Sequence, residues 1–529
     1  MQTDEARRPG FLSGRGGLLI ALACSLLLLA ISRHFTWSIP QLNWDEGTRM
    51  SIASALNHGG TLYVDAWDHH TFLDILFFQG LFKVLPAEQV PLAVRVVNAL
   101  IVLGVCLLAF LAVRRMSGDG AWALGTALIC GFLFSRDWAL SSTGEFYHTL
   151  PVCLAFGLYF AWGNATGMTR DPLAVAPDDA PPAGSASSRP RVRLLLVGAL
   201  FAIGFFIKQT AVYDLLALAI LATLQARSRG NSRIEWRALG IRLGRVVLGG
   251  CGVAACSVAY FAAKGALGQA MYMTFIDPLV YATGTEVSGT LQKYRDAVVT
   301  ELGFAARVSW PLTAALAVSC VLLFLPARDG TSRRLAAGAA VWLIVDMAGL
   351  VLIGRFYDHY LVQLIVPAAV LGSYWLSRLG GTLRTVGVAL VLLAFWFWPI
   401  WEVLARTGQR GSGIDWANVR RVSAWVKDHT SPGEGLYLYQ NPALCLYFLT
   451  ERFPPTKVFM DHQLLPENKD GPGLLKEAMS ALERTPPRVI VVGDLGRSVP
   501  EIEAFIQMRY RPVTNIGIHQ VFMPVTPGP

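Results

Sequence analysis

Long apolar runs alternate with short polar segments along the chain as far as position 403. A helix needs roughly 20 apolar residues to cross a bilayer, and the pattern gives eleven candidate runs. They lie at about 17–34, 90–113, 119–135, 147–163, 194–207, 210–226, 245–264, 305–326, 335–353, 360–377 and 385–403. The pattern predicts a polytopic α-helical membrane protein with about 11 transmembrane helices, counted to within about two because the fifth and sixth runs are short.

Basic residues are concentrated in alternate connections between these runs. Arginines recur at 7–15, 114–115, 170–193, 227–245, 328–334 and 378–384. The intervening connections are much poorer in lysine and arginine, which is the positive-inside pattern and predicts a cytoplasmic N-terminus. An odd number of spans then places the C-terminus on the outer side. No small-x-small cleavage site follows the first run, so we interpret it as an uncleaved signal anchor.

The composition agrees with a membrane protein and argues against other classes. Hydrophobic residues make up 53% of the chain and charged residues 15%, whereas a soluble protein carries about 25% charged residues. The net charge of +9 comes from the basic connections, so no nucleic-acid partner is expected. Seven of the eight cysteines lie in or beside apolar runs, and their spacing predicts neither a disulfide framework nor a cysteine metal site.

Two segments depart from the membrane pattern. The cytoplasmic linker 164–193 is rich in proline and small polar residues, which predicts disorder. From about 404, helical and strand patterns alternate. They predict helices near 415–427 and 474–482 and strands near 435–439 and 488–494. We therefore expect a transmembrane domain at 1–403 and a small periplasmic α/β domain at 404–529.

Two adjacent carboxylates, Asp45 and Glu46, follow the first run and lie in a long outer loop, 37–88. Ionisable groups are costly where lipid begins, so this pair is a functional candidate. Beside an apolar surface, neighbouring carboxylates would raise one another's pKa and suit a general base. Helix capping is the alternative role, because acids favour a helix N-terminus. Residues 72–82 of the same loop fit an amphipathic helix lying on the membrane interface.

Further polar residues are expected at the same face. Glu145 directly precedes a span, at the depth expected for the acidic pair. Lys208 separates two short runs, and Arg355, His359 and Tyr360 share another outer connection. Cations and a phenol near acids suit a lipid-linked phosphate whose tail stays in the bilayer. A lysine that only snorkels to the interface is the alternative for Lys208.

Histidines in the first outer loop are candidate metal ligands. His69 and His70 could join Asp45 or Glu145 in a His/Asp/Glu cluster. No His-x-x-x-His spacing supports such a site. The sequence therefore requires no cofactor and leaves a divalent cation as a candidate, with its ligands unassigned.

At these residues the chain resembles the GT-C glycosyltransferases, specifically the family-39 group that includes protein O-mannosyltransferases and lipid A aminoarabinose transferases. The motifs are Trp44-Asp45-Glu46-Gly47, Gly60-Thr61-Leu62-Tyr63-Val64-Asp65 and Gly354-Arg355-Phe356-Tyr357-Asp358-His359-Tyr360-Leu361, with Pro367 beyond them. Segments 432–434 and 487–492 are similar to the soluble domain of many bacterial members. The resemblance covers nearly the whole chain, and the loop after the first span is its most specific part.

The resemblance implies Asp45 as the catalytic base and Glu145 as a second acidic site residue. It also implies that the lipid-phosphate donor is contacted by Lys208, Arg355, His359 and Tyr360. Glu46 and His70 are expected as further substrate contacts. Members commonly have His-Pro-Pro-Leu or Lys-Pro-Pro-Leu where this chain has His70-Thr71-Phe72-Leu73, which changes the expected shape of the interface helix and of the acceptor side.

The function expected from these features is glycosyl transfer at the outer face of the bacterial inner membrane. An inverting glycosyltransferase would move a hexosyl or pentosyl residue from a polyprenyl-phosphate donor to an acceptor hydroxyl on a lipid, glycan or protein. The alternatives are a transporter or flippase for a lipid-linked sugar, with the acids as ion sites, and a non-catalytic scaffold. Transporters tend to show internal repeats and charges at the membrane midplane, whereas the sequence shows no repeat and places these acids in outer loops.

Overall fold

The computed structural model describes residues 43–136, 139–161, 189–227, 236–279, 310–326, 330–353, 357–406 and 415–525, with a few residues before 43 and without a few single positions inside these ranges. Three predicted features fall outside the described residues: the first apolar run at 17–34, most of the linker 164–193, and Arg355.

The described chain is mostly helical. The helices are α1 (Trp44–Asn57), α2 (Leu73–Val84), α3 (Val90–Ser117), α4 (Gly120–Leu133), α5 (Gly144–Phe156), α6 (Arg189–Ile207), α7 (Ala211–Arg227), α8 (Trp236–Ala263), α9 (Leu267–Met271), α10 (Trp310–Phe324), α11 (Gly330–Ile353), α12 (Ile365–Gly372), α13 (Gly381–Arg406), α14 (Trp416–His429), α15 (Cys445–Thr450), α16 (Gly471–Arg484) and α17 (Pro500–Arg509). A π-helical turn, Gly157–Ala161, extends α5.

Several of these helices suit a bilayer. Among the described residues, four helical segments are long and apolar enough to cross a membrane: Val90–Ser117, Leu239–Ala263, Gly330–Leu352 and His359–Arg378. Shorter apolar helices occupy most of the other predicted runs. The prediction of a multi-pass helical membrane protein is confirmed. The count of about 11 stays a prediction, since the first run lies outside the described residues.

The predicted run 360–377 is not one regular α-helix. It consists of a 3-10 segment (Asp358–Leu364), then α12, then a second 3-10 segment (Tyr374–Arg378). Side chains of α4 bond to it where the helix type changes: Trp122 Nε1 donates to Val370 O at 2.9 Å, and the hydroxyls of Thr126 and Ser373 lie 2.8 Å apart. Such bonds satisfy polar groups that water cannot reach inside a membrane.

Small residues allow α6 and α8 to pack closely. A Cβ on Gly198 of α6 would overlap the carbonyl of Val246, and one on Gly249 of α8 would overlap the carbonyl of Leu195. Glycine at such contacts lets helix backbones approach inside a bilayer, where dispersion contacts drive association. Large apolar side chains elsewhere on α8 are exposed, as expected for a surface that contacts lipid.

The C-terminal segment forms an α/β unit around a four-stranded sheet. Its strands are β1 (Leu436–Tyr439), β2 (Val489–Val492), β3 (Tyr510–Ile516) and β4 (His519–Pro524), in the order β1-β2-β4-β3. β1 and β2 are parallel, and β4 is antiparallel to both β2 and β3. The expected helices coincide with α14 and α16, and the expected strands with β1 and β2. The sequence pattern did not predict the β3–β4 hairpin. Most positions of β3 are exposed and Pro512 lies within it, so the alternation typical of a strand is weak.

The α/β unit packs directly on the loop at 37–88. Gln41 donates from Nε2 to Pro442 O and accepts from Cys445 N, both at 2.5 Å. The Ser51 hydroxyl donates to Leu444 O at 2.9 Å. Helix α1 is therefore held between the membrane helices and the α/β unit, which fixes the position of the residues at its N-terminal end.

Candidate active site

Helix α1 presents the acidic pair, and Asn43 caps it. The Asn43 side chain accepts a hydrogen bond from Glu46 N at 2.9 Å. The proposal that Asp45 serves as the cap is therefore wrong. Asp45 lies in the first turn, where the partial positive charge of the helix N-terminus still favours its carboxylate.

Glu46 points away from Asp45 and is fully buried in an ion pair with Arg95 of α3. Arg95 donates from Nη1 to Glu46 Oε1, and from Nη2 to Oε2 at 2.9 Å. Ser142 N donates to the same Oε1 at 3.2 Å, and the Ser142 hydroxyl accepts from Arg95 Nη1 at 3.0 Å. These contacts join α1 to α3 and to the segment before α5. They favour a supporting role for Glu46 over the substrate contact expected from the sequence.

Asp45 is ionised, contrary to the expected mutual increase in pKa. Burial would raise the pKa of Asp45, but His70, Arg49 and His359 lower it by more, so the net pKa lies below its usual range. The expectation failed because Glu46 is turned towards Arg95, while positive or polarisable groups surround Asp45. A buried carboxylate held in this form is ready to accept a proton.

Arg49, which the sequence reading missed, lies one turn after Asp45 on α1 and is 1% exposed. Its Nη1 is 3.2 Å from Asp74 Oδ2 on α2. Burial opposes its charge, but Asp74, Asp45, Asp68 and Glu145 together raise the pKa of Arg49 above its usual value. Its Nε is buried without a hydrogen-bond partner among the described atoms. The spacing from Asp45, four residues along one helix face, was the available signal.

Glu145 and Lys208 form a second ionic centre beside the first. Lys208 Nζ is 2.6 Å from Glu145 Oε1, and His359 Nε2 is 3.9 Å from the same oxygen. Lys208 Nζ also lies 5.2 Å from the centre of the Tyr360 ring. His359 is an electrostatic neighbour of both Asp45 and Glu145. Three separate segments thus bring four predicted residues to one place.

A glycine permits this close meeting of α5 with the turn after α6. At Gly144, a Cβ would lie 3.0 Å from Ile207 O and 3.2 Å from Lys208 Cδ. A larger residue would push the start of α5 away from Lys208. The Glu145–Lys208 contact therefore depends on Gly144 as well as on the two charged residues.

His70 belongs to a compact cluster with Asp68 and His69. His70 Nδ1 is 2.6 Å from Asp68 Oδ1, and His69 Nδ1 is 3.8 Å from the same oxygen. One ligand atom from each of the three residues lies within 4.8 Å of the others. Asp68 Oδ2 is buried without a hydrogen-bond partner among the described atoms. This donor set suits a divalent cation, although its members are neighbours in sequence and include neither Asp45 nor Glu145.

The α/β unit covers the N-terminal end of α1 with the roof segment, residues 457–464. Trp67 N donates to Lys457 O at 2.7 Å. The Thr48 hydroxyl lies 3.9 Å from Met460 Sδ, and the rings of Trp44 and His462 are 6.1 Å apart. A molecule approaching Asp45 from the α/β side would meet this segment.

Comparison with solved structures shows a shared fold. ArnT from Cupriavidus metallidurans bound to undecaprenyl phosphate aligns with a TM-score of 0.62 at 15% identity, over 98% of this chain and 100% of that one. AglB, the oligosaccharyltransferase of Archaeoglobus fulgidus, in complex with an inhibitory peptide and a dolichol-phosphate, aligns with a TM-score of 0.55 at 11% identity, over 90% of this chain and 69% of that one. The resemblance to GT-C enzymes is confirmed at the level of the fold.

Sequence comparison adds no closer relative. No family model matches the chain. No curated protein matches it either.

Proposed function

We propose that this protein is a membrane glycosyltransferase that moves a sugar from a polyprenyl-phosphate donor to an acceptor hydroxyl. One observation carries the proposal. His70, Arg49 and His359 hold the pKa of Asp45 below its usual range, and Lys208 and His359 both lie against Glu145 beside it, at one end of an apolar helix bundle. Transfer of a sugar from a phosphate requires a base that takes the acceptor proton and cations that stabilise the departing phosphate.

In the proposed reaction Asp45 takes the proton from the acceptor hydroxyl as its oxygen attacks C1 of the sugar. The bond from C1 to the phosphate oxygen breaks in the same displacement, so the anomeric configuration inverts. The leaving polyprenyl phosphate carries the electron pair, and Arg49 and Lys208 stabilise its charge. Glu145 keeps Lys208 in place until the phosphate arrives. Arg355, expected as a further phosphate contact, lies outside the described residues.

The shared fold supports the lipid donor. ArnT is described with undecaprenyl phosphate and AglB with dolichol-phosphate, and both have the fold of this chain. We propose the same donor class here, with the site on the outer face of a bacterial inner membrane and the α/β unit in the periplasm. The acceptor would be a lipid, a glycan or a protein. A divalent cation bound at Asp68, His69 and His70 would add positive charge near the phosphate.

Asp45→Asn tests the proposal, because the amide keeps the shape of the side chain but cannot accept the proton. A deletion strain is complemented with wild type, Asp45→Asn or Asp65→Asn, and its lipid-linked sugars and envelope glycans are measured by mass spectrometry. Asp65 is an exposed acid in the same loop whose carboxylate accepts from Thr61 N at 2.8 Å, a bond that asparagine can keep.

We expect Asp45→Asn to leave a polyprenyl-phosphate sugar accumulated and one glycan residue missing, as in the deletion strain. Asp65→Asn should restore the wild-type pattern. Normal glycans with Asp45→Asn would rule out Asp45 as the base. An unchanged pattern in the deletion strain itself would reject the glycosyltransferase.

A further inference from the structure

Tyr63 has a backbone conformation that a bulky residue rarely adopts. Its φ is 69°, in the left-handed region that favours glycine. The residue is nonetheless buried, with an exposed fraction of 4%. Tyr63 N donates to Ala66 O at 2.8 Å, which closes a tight turn. Strained residues of this kind persist only where several contacts hold them, and they occur often at functional sites.

The side chain of Tyr63 connects α8 to the cluster of Asp68, His69 and His70. Its ring packs on the ring of Phe261 of α8, with the two centroids 5.7 Å apart. Its hydroxyl donates to His70 O at 2.8 Å in a buried hydrogen bond. One side chain therefore reaches from a long apolar helix to the backbone of a cluster residue.

The position of the His70 backbone in turn determines the geometry of the cluster. His70 N donates to Asp68 Oδ1 at 3.0 Å, and His70 Nδ1 lies 2.6 Å from the same oxygen. Trp67, directly before the cluster, donates from its backbone N–H to Lys457 O of the roof segment at 2.7 Å. Tyr63 and the roof segment thus hold this part of the loop at two points. A shift at either point would move the cluster side chains.

The cluster has the chemistry of a divalent-cation site. A carboxylate and two imidazoles are ligands that zinc accepts. Asp68 is 1% exposed, and its Oδ2 has no hydrogen-bond partner within the part of the chain that the structure describes. An unpaired carboxylate oxygen is costly when buried, and a cation would supply its missing partner. Distances from zinc to its ligands vary by only about 0.2 Å, so the affinity depends on where His70 is held.

We propose that Tyr63 is a positioning residue for this cation site. Its hydroxyl fixes the His70 backbone, so that the side chains of Asp68 and His70 are in place before an ion binds. Tyr63 itself does not contact the ion. The strained φ is maintained because the turn, the ring contact with Phe261 and the bond to His70 hold the residue together. The inference rests on the cation of the proposed function and is independent of sugar transfer.

The zinc affinity of Tyr63→Phe tests this role, because phenylalanine keeps the ring contact but lacks the hydroxyl. The full chain in lipid nanodiscs is stripped with a chelator, and the Kd of Zn²⁺ is measured by competition with a chromophoric chelator. Asp68→Asn identifies the site, since zinc that still binds to this variant is bound elsewhere. We expect Tyr63→Phe to raise the Kd about 10–100-fold, the loss typical when a residue that orients a metal ligand is removed.

Tyr510→Phe is the matched control. The Tyr510 hydroxyl donates to Pro487 O at 2.8 Å and Tyr510 is also 4% exposed, but it lies in β3 of the α/β unit. Both variants lose a buried bond from a phenol to a backbone carbonyl, so thermal unfolding should show similar losses of stability. Only Tyr63→Phe should bind zinc more weakly. A role of Tyr63 confined to the fold predicts equal affinities for the two variants.

Wild-type zinc affinity in Tyr63→Phe would overturn the inference, and so would an equal loss of affinity in Tyr510→Phe. It would also fail if wild type binds no more zinc than Asp68→Asn does, because no ion would then need positioning. If Tyr63→Phe does not fold, Tyr63→Asn takes its place, since asparagine adopts a positive φ with less strain, and the same loss of affinity is expected. No sugar donor is present in these measurements, so a failure of glycosyl transfer would leave their result unchanged.

Discussion

The low pKa of Asp45 depends on His70 and His359, which are remote in sequence, and on Arg49, one turn further along α1. Burial alone would favour the neutral acid, and His70, Arg49 and His359 reverse that preference. Of these, Arg49 is the least replaceable, because a guanidinium keeps its charge when buried and can donate to a phosphate through two nitrogens at once. Single side chains around Asp45 should therefore affect the reaction more than they affect the fold.

Arg49→Gln should reduce turnover by about 100-fold or more, the size of effect found when one donor to a developing negative charge is removed. It would also leave Asp74 buried without its cation, which lowers stability. Turnover and thermal unfolding are measured for Arg49→Gln and for the pair Arg49→Gln with Asp74→Asn. The pair should recover stability but not turnover. Recovery of both would show that Arg49 serves only the fold.

Removal of divalent cations should lower activity if the cluster of Asp68, His69 and His70 holds one. Activity of the purified protein is assayed with a chelator and after addition of zinc, manganese or magnesium. Asp68→Asn should abolish the response to added metal, while His429→Gln, a change in an exposed histidine of α14, should leave it intact. Full activity in the presence of chelator would show that these residues act without a metal.

At the scale of elements, the buried Glu46–Arg95 pair fixes α1 against α3 and the start of α5. Arg95 donates two hydrogen bonds to Glu46 and one to Ser142, and all three residues are inaccessible to solvent. A buried ion pair of this kind contributes little net stability compared with apolar residues, but losing one partner is costly. The orientation of the loop that carries Asp45 thus depends on the buried Glu46.

Glu46→Gln should lower the free energy of unfolding by about 3 kcal/mol or more, because Arg95 is left with an uncompensated buried charge. Glu88→Gln is the matched control. Glu88 and Lys427 form an exposed pair at 3.3 Å, and such pairs contribute about 0–1 kcal/mol. Denaturation in mild detergent measures both variants. Equal stability of the two would show that Glu46 is not needed to anchor α1.

In the molecule as a whole, the α/β unit packs against two segments of the helical domain. The roof segment covers α1, and Asp470 at the start of α16 meets Asp277 in the segment after α9. Burial and the neighbouring Asp470 raise the pKa of Asp277 from 3.8 to about 7. Contact between the two parts should therefore respond to pH.

The direction in which stability changes with pH follows from the raised pKa of Asp277. The folded protein binds the Asp277 proton more tightly than the unfolded chain does, so the contribution to stability is complete below about pH 4 and is lost as the pH rises through about 7. Thermal unfolding of wild type and Asp277→Asn is compared between about pH 5 and about pH 8. Wild type should lose more stability than the variant across this range. Parallel curves would mean that the pKa of Asp277 is not raised in the folded protein.

The helical membrane architecture follows from the sequence alone, because runs of roughly 20 apolar residues leave few other solutions. The acidic and basic site candidates could also be identified, since charges are costly beside apolar runs. Glu145, Lys208, His359 and Tyr360 do lie together. Local pattern also located α14, α16, β1 and β2, whose apolar periodicity is strong.

The pairing of these groups depends on the tertiary structure. Adjacent positions on a helix point about 100° apart, so Asp45 and Glu46 face different neighbours. Glu46 faces Arg95 and forms an ion pair with it. The spacing from Asp45 could have pointed to Arg49, but its partners Asp74 and Glu145 lie on other helices, where no local pattern reveals them. Asp45 and Glu46, equivalent in the sequence, thus become an ionised candidate base and a structural anchor, because packing gives each a different electrostatic environment.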